Sequence, residues 1–300
     1  MFRKMRAAYR QSKILAANLP SRDDIARLSQ SIVESIVPHI GHISDNNTKA
    51  KWGLTGRTVA NPLTVPARKY WSQADEDGII ENILRRLPGT VAKTFVEIGV
   101  GDGSENNSVV LLSRGWEGLW FGGEDLCFEP AKNGLLTFHK VWISLEKFAS
   151  VTNPLMEFSN KHGLGLLSID LDGNDYFFLE AILEAGARPD ILVAEYNARL
   201  PADVEWVMPY TPDHTWDGSD YYGMSLQSTC NLAATYDYVP VATSAQGANV
   251  IFVLKKHMKL FADVPTDVHD LYMPPDFDLL TVWGHPTSPA LLESLTRRKS

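Results

Sequence analysis

Three glycines at alternate positions follow a run of apolar residues. The segment reads Glu97-Ile98-Gly99-Val100-Gly101-Asp102-Gly103. Glycine has no Cβ atom, so its backbone approaches a ligand closely and adopts positive φ angles without strain. In open α/β sheets, ligands bind at the carboxyl ends of the strands. The segment therefore predicts a cofactor-binding turn at the end of a buried strand. A purely structural turn is the alternative.

The spacing of these glycines does not fit the dinucleotide-binding fingerprint. Counted from Gly99, the last glycine of Gly-x-Gly-x-x-Gly would fall on Ser104. The pattern acid-x-Gly-x-Gly-x-Gly resembles motif I of class I methyltransferases, which use S-adenosylmethionine (SAM). The resemblance implies that Glu97 orients the amino-acid end of SAM and that Gly99 and Gly101 lie under it. Asp102 and Gly103 complete the predicted cofactor loop.

Two acids follow the next predicted strand. That strand covers 118–122, and Glu124 and Asp125 come directly after it. In sheets of this kind, a carboxylate in that position holds the ribose hydroxyls of the cofactor. We expect Glu124 to do so, with Asp125 as the second choice. Ser144, just past the third strand, is predicted to lie near the adenine.

Oxygen-bearing side chains also end the fourth and fifth predicted strands. Asp170 and Asp172 follow the fourth, and Glu195 and Asn197 follow the fifth. Adjacent strands lie about 5 Å apart, so these side chains can converge on a hard cation such as Mg²⁺. The arrangement resembles the metal site of catechol O-methyltransferase. Alternatively, Asp170 contacts the cofactor or substrate, and Asp172 caps the next helix, as Asp175 also can.

A long loop after the fifth strand, at 210–223, is rich in aromatic and acidic residues. Aromatic rings stack on sugars, and carboxylates accept hydrogen bonds from hydroxyls. His214 is the candidate general base, because imidazole exchanges protons near neutral pH. Asp217 and Asp220 are alternative bases or substrate ligands. The predicted catalytic set is therefore Asp172, His214 and Asp217, with a surface histidine as the alternative for His214.

Apolar periodicity predicts alternating strands and helices. The predicted strands are 94–98, 118–122, 136–143, 164–169, 191–196, 238–243 and 250–254. The predicted helices between or before them are about 75–87, 107–113, 154–161 and 176–184. This alternation indicates a doubly wound, mostly parallel α/β sheet of seven strands. The link between the last two strands is too short for a parallel crossover, so they should form an antiparallel hairpin.

Several segments together resemble the FkbM-like methyltransferases. They are 71–78, the glycine loop, 167–175 and 194–197, within about 70–255. The resemblance implies a SAM-dependent O-methyltransferase that acts on a hydroxyl of a sugar or glycoconjugate, and it adds Gln73 to the cofactor-binding residues. The chain departs from the family at Asp170-Leu171-Asp172-Gly173-Asn174-Asp175, where many members have Asp-x-Glu-Gly-x-Glu.

Composition and patterning along the chain predict the domain boundaries, the class of partner and the cellular compartment. We expect a helical extension at 1–64, with an amphipathic helix at about 22–37, a catalytic domain at 65–258 and a tail at 259–300. The net charge of −8 disfavours a nucleic-acid partner. Two cysteines and no apolar run of about 18 residues favour a cytoplasmic protein without a membrane span. The basic N-terminus allows peripheral membrane contact or is simply solvated, and a homo-oligomer is compatible with the sequence.

Two other functions remain open. Asp170-Leu171-Asp172 is an Asp-x-Asp motif, which in a metal-dependent glycosyltransferase would hold a cation and a nucleotide-sugar diphosphate. The glycine loop on an earlier strand argues against this reading. A non-catalytic module with a vestigial cofactor site is the other alternative.

Overall fold

The computed structural model describes residues 60–132 and 134–275. All of them belong to one compact unit, Trp52–Ser300. The predicted helix at 22–37, the basic N-terminus and most of the predicted tail lie outside the described residues. None of the described helices is long and apolar enough to span a membrane.

Within the described residues, seven strands form one sheet. They are β1 (Thr94–Ile98), β2 (Glu117–Gly122), β3 (Leu136–Lys140), β4 (Leu166–Ile169), β5 (Ile191–Glu195), β6 (Tyr238–Thr243) and β7 (Asn249–Leu254). Their order is β3-β2-β1-β4-β5-β7-β6. The first five pair in parallel, whereas β7 is antiparallel to both β5 and β6. The predicted fold class, including the final hairpin, is confirmed.

Helices connect the strands and cover both faces of the sheet. They are α1 (Glu76–Leu84), α2 (Val109–Ser113), α3 (Phe148–His162), α4 (Asp175–Glu184), α5 (Leu226–Ala234) and α6 (Val268–Leu271). Short 3₁₀ turns occupy Leu145–Lys147 and Lys255–Phe261. Ser225 is the N-cap of α5, and its hydroxyl accepts a hydrogen bond from Ser228 N at 3.2 Å.

The core lies on both faces of the sheet. Strands β1, β4 and β7 are buried at every position, as expected for strands covered by helices on two sides. The packing continues beyond 65 and 258, because Leu63, Phe261 and Leu271 are fully buried. The Asn61 amide also donates to Val241 O of β6 at 2.7 Å.

The strand order reverses next to β1. From β1 the chain runs outward through β2 and β3, then returns to place β4 on the other side of β1. The connections on the two sides therefore diverge above the carboxyl ends of β1 and β4. A crevice opens at such a reversal, and it is where ligands bind in open α/β sheets.

Candidate functional site

A cavity of about 350 Å³ opens at this reversal point. Its walls come from the glycine loop after β1, the ends of β2 and β4, the segment after β3 and the long loop after β5. The lining residues are Gly99, Gly101, Gly122, Gly123, Glu124, Trp142, Ile143, Asp170, Leu171, Asp172, Asn174, His214, Thr215 and Trp216. Five separate segments of the chain therefore meet in one concave site of ligand size.

The glycine loop adopts the backbone conformation that the sequence indicated. Gly99, Gly101 and Gly103 all have positive φ angles of 92°, 53° and 83°. A Cβ atom on Gly99 would lie 1.5 Å from Asp170 O, so only glycine lets β1 and β4 approach this closely. A Cβ atom on Gly101 would meet nothing within 4 Å. Gly101 therefore faces open space in the cavity, where a ligand can lie against the backbone.

Glu97 does not line the cavity. Its buried carboxylate accepts hydrogen bonds from Asn107 N at 2.8 Å and Ser108 N at 3.0 Å, and also from the Ser108 hydroxyl. Ser108 in turn accepts a hydrogen bond from the Trp120 indole. Burial raises the pKa of Glu97, and the hydrogen bonds from Ser108 and Asn107 oppose that rise. In the structure this acid fixes the segment that leads from the glycine loop into α2.

The two acids after β2 occupy different environments. Glu124 lines the cavity and is exposed to it. Asp125 lies outside the lining and forms an ion pair with Lys140 Nζ at 2.5 Å. Position therefore favours Glu124 over Asp125 as the group that meets a ligand.

Gly103 and three other predicted cofactor residues do not line the cavity, and a Cβ atom on Gly103 would lie 3.0 Å from the Trp120 ring. Asp102 is exposed and accepts hydrogen bonds from Ser104 N at 2.9 Å and from the Ser104 hydroxyl at 2.6 Å, which lower its pKa. Ser144 is buried next to the lining residues Trp142 and Ile143. The backbone carbonyl of the exposed Gln73 accepts a hydrogen bond from Lys69 Nζ at 2.9 Å. Any contact of these side chains with a cofactor remains a prediction.

Trp142 is a lining residue that sequence reasoning missed. Its indole lies 3.2 Å from the position that a Cβ atom on Gly123 would occupy. The available signals were the unusual Gly122-Gly123 pair and a tryptophan just after β3. The predicted strand at 136–143 included Trp142, whereas β3 ends at Lys140, and this concealed its position at the ligand edge.

Three carboxylates converge beneath the cavity. Asp170, Asp175 and Glu195 each offer an oxygen atom, and these atoms lie within 4.8 Å of one another. Asp175 is fully buried and accepts hydrogen bonds from Leu171 N at 2.7 Å and Gly173 N at 3.0 Å. Oε2 of Glu195 is buried without a hydrogen-bond partner among the described residues. The arrangement concentrates negative charge away from water.

Burial and mutual repulsion shift the titration of this cluster. Burial is the largest cause for all three acids, and it raises the pKa of Asp170 and of Glu195 well above their ordinary values. Burial also raises the pKa of Asp175, to about 6, against its backbone hydrogen bonds. Negative charges on the neighbouring acids add to each shift. The cluster therefore binds protons or a cation more readily than separate surface carboxylates would.

Two of the four predicted metal ligands lie apart from this cluster. Asp172 is exposed at the cavity with a positive φ of 52°. The buried amide of Asn197 donates to Asp220 O at 2.8 Å and Tyr222 O at 3.1 Å, and its oxygen accepts from Arg199 N at 3.1 Å. Asp175 occupies the place in the cluster that the sequence had suggested for Asp172.

The predicted catalytic residues are only partly brought together. His214 lines the cavity, and its Nε2 lies 3.0 Å from Asp172 O. Because a carbonyl only accepts, Nε2 is the donor in this contact, and Nδ1 is the ring nitrogen that does not take part in it. Asp217 is exposed outside the lining, and hydrogen bonds from Ser219 lower its pKa. Asp220 is buried beside Arg199, at 3.9 Å.

The loop after β5 is fastened across the cavity by hydrogen bonds. Asn174 donates from its amide to Thr211 O at 2.8 Å and accepts from Thr211 N at 3.2 Å. The Trp142 indole donates to Pro212 O at 3.3 Å. The Tyr210 hydroxyl accepts from Leu145 N at 2.7 Å. These contacts hold the loop residues 210–216 against the segments that follow β3 and β4.

Comparison with known proteins gives little further identification. No protein-family profile matches the sequence, and no curated protein matches it significantly. Among solved structures, the chain is similar to "SeMet-Substituted CurJ carbon methyltransferase" at 9% sequence identity and a TM-score of 0.33. The match covers 76% of this chain and 70% of that one. Membership of the FkbM-like family therefore remains a prediction from the sequence segments.

Proposed function

We propose that this protein is a SAM-dependent methyltransferase whose cofactor occupies the cavity above β1 and β4. The observation that carries the proposal is the pairing of Gly101, which faces open cavity space, with Glu124 on the neighbouring strand end. In this arrangement the backbone at Gly99 and Gly101 supports the cofactor and Glu124 accepts hydrogen bonds from the ribose hydroxyls. SAM supplies an electrophilic methyl group when it is bound.

The charge of the cavity supports a cationic cofactor. Glu124, Asp170 and Asp172 contribute carboxylates, and among the described residues no lysine or arginine lines the cavity. SAM carries a sulfonium and an ammonium group, whereas dinucleotides and nucleotide sugars carry a pyrophosphate. Phosphate sites usually contain cations or a helix amino terminus directed at the ligand. The lining therefore suits the cationic groups of SAM directly, whereas a nucleotide sugar would need a bound metal ion between its pyrophosphate and these acids.

Calorimetric titration of the full chain with S-adenosylhomocysteine and with a uridine diphosphate sugar tests this choice. The proposal expects one site for S-adenosylhomocysteine and no heat from the nucleotide sugar, with or without Mn²⁺. Binding of the nucleotide sugar alone would favour the glycosyltransferase reading. Binding of S-adenosylhomocysteine without transfer to any hydroxylated acceptor would favour a non-catalytic module.

We further propose that the acceptor group is a hydroxyl, in keeping with the FkbM-like segments. His214 would accept the proton through Nδ1, since Nε2 is committed to Asp172 O. Removing the proton as the bond to carbon forms is general base catalysis, which contributes typically 10²- to 10⁴-fold. Methyl transfer then depends on holding the nucleophile in line with the methyl–sulfur bond. A bell-shaped or sigmoid pH–rate profile that H214Q abolishes would support this role.

A divalent cation is a second component of the proposal. Asp170, Asp175 and Glu195 provide the oxygen ligands that Mg²⁺ and similar ions prefer, and the buried Oε2 of Glu195 has no hydrogen-bond partner among the described residues. A cation held there would neutralise the buried charge and, through Asp170 at the cavity floor, could polarise an acceptor hydroxyl. Calorimetry with Mg²⁺ on wild-type protein and on E195Q tests it, and equal responses would contradict it.

A further inference from the structure

Two half-exposed tryptophans stand at the mouth of the cavity. Trp142 and Trp216 are 43% and 42% exposed. Each indole N–H is already used: Trp142 donates to Pro212 O at 3.3 Å and Trp216 to Ser219 O at 2.8 Å. The rings are therefore fixed in orientation while much of their apolar surface meets water. Fixed, exposed aromatic rings at the rim of a pocket favour a ligand that stacks on them.

The two rings come from different walls of the cavity. Trp142 packs against Gly123, beside Glu124, so it belongs to the side that would hold the nucleoside. Trp216 comes from the loop after β5, which also brings His214 to the cavity. His214 is hydrogen-bonded to the backbone carbonyl of Asp172, just after β4. Trp216 therefore borders the side from which an acceptor must reach the proposed base.

The charges on that side have one sign. Asp172 is exposed at the cavity, and the exposed Asp217 directly follows Trp216. His214 is the one side chain in the described lining that could carry a positive charge. The nearby Lys140 is paired with Asp125 outside the lining. A phosphate, sulfate or carboxylate entering here would be repelled, and such repulsion creates specificity.

We infer that Trp216 and Asp172 form an acceptor subsite that takes uncharged hydroxylated rings and rejects anionic ones. The inference rests on the proposed function, because the acceptor side is defined by the cofactor side. The C–H face of a glycosyl ring would stack on Trp216 while its hydroxyls donate to carboxylates of the lining. In the metal-free protein, acidic acceptors such as uronates or phosphorylated sugars would meet no lysine or arginine among the described lining residues.

The test uses full-length protein loaded with S-adenosylhomocysteine. Saturation-transfer NMR would compare methyl glucoside with methyl glucuronide, two probes that differ by one carboxylate. We expect the glucoside to bind at least about tenfold more tightly. W216A should weaken glucoside binding roughly fivefold. W71A removes a tryptophan of equal exposure outside the cavity and should change nothing. D172N should reduce the difference in affinity between the glucoside and the glucuronide, because it removes one carboxylate that repels the glucuronide.

The outcomes separate this inference from the proposed function. If calorimetry shows no binding of S-adenosylhomocysteine, the proposed function fails and the inference fails with it. If S-adenosylhomocysteine binds normally, three results would overturn the inference alone. These are equal or tighter binding of the glucuronide, glucoside binding that W216A leaves unchanged, and no binding of either probe at 50 mM, roughly the weakest affinity worth assigning to a site.

Discussion

Gly101 is the residue at which cofactor binding and folding can be separated most cleanly. Its Cβ position is open and its φ is 53°, so G101A should fold with about 1 kcal/mol of strain while a methyl group enters the cavity. Gly115 is the matched control, with φ of 78° and an equally open Cβ position, at the end of α2. Thermal denaturation with S-adenosylhomocysteine should show stabilisation by the ligand in wild type and G115A, and little in G101A.

Glu124 and Asp125 form a second matched pair. E124Q should lower the affinity for S-adenosylhomocysteine about tenfold, because a charged acceptor of ribose hydrogen bonds is lost. D125N removes the same charge one residue away, where it pairs with Lys140, and should lower the affinity less than twofold. Equal losses in calorimetry would mean that long-range charge, rather than contact with the ribose, explains the effect.

The sequence predicted individual side chains well where backbone geometry decides their position. Gly99, Gly101 and Glu124 lie just after strand ends, and all three line the cavity, whereas Gly103 does not. Glu97 could not be placed in this way, because its partners at Asn107 and Ser108 come from the turn after the loop. Asp175, and not Asp172, belongs to the acidic cluster. The backbone has a positive φ at Asp172, and the spacing of residues in the sequence does not predict this turn.

The acidic cluster at the ends of β4 and β5 makes a prediction about pH. An acid whose pKa is raised by folding stabilises the folded state below its unfolded pKa and loses that contribution as pH rises through its folded pKa. For Asp175 this window runs from about 4 to about 6. The raised pKa values of Asp170 and Glu195 extend the loss to higher pH. Metal-free protein should therefore start to lose this contribution to its unfolding free energy as the pH rises from about 4 through about 6, and the loss should continue above that pH.

E195Q isolates that contribution. Without metal, the stability of E195Q relative to wild type should increase by about 1–2 kcal/mol as the pH rises from 5 to 8, because E195Q lacks a carboxyl whose ionisation is opposed by burial. Millimolar Mg²⁺ should stabilise wild type and leave E195Q unchanged. E129Q, at an exposed site, controls for the change in net charge. Chemical denaturation at both pH values measures the differences, and a relative stability of E195Q that does not increase with pH would contradict the account.

Glu97 links β1 to the start of α2. E97Q would direct an amide N–H toward backbone donors at Asn107 or Ser108, and should lower the unfolding free energy by about 2 kcal/mol. Urea denaturation measures this loss. If E97Q instead keeps the stability of wild type but no longer binds S-adenosylhomocysteine, then Glu97 contacts the cofactor, as the sequence resemblance implied.

Strands were more predictable than helices in this chain. The bounds 94–98 and 238–243 agree with β1 and β6, since apolar runs flanked by polar turns define them. The helix predicted to start at Pro154 starts instead at Phe148, and Pro154 lies inside it. Proline is a good first helical residue, but packing of Val151 and Leu155 against the core outweighs the hydrogen bond that Pro154 cannot make.

Across the whole molecule, the reversal of strand order decides where chemistry can occur. It gathers the glycine loop, Glu124, the acidic cluster and the loop after β5 at one edge of the sheet. Periodicity and chain connectivity predict this edge, and so they predict the location of the cavity. They do not predict how the loop after β5 folds back, because that depends on contacts such as Asn174 with Thr211.

A crystal structure of the full chain grown with S-adenosylhomocysteine tests the central claim most directly. The account predicts density for the ligand in the cavity, with its homocysteine over Gly99 and Gly101 and its ribose hydroxyls within hydrogen-bond distance of Glu124. Ligand bound elsewhere, or an empty cavity in crystals of protein shown by calorimetry to bind the ligand, would contradict it.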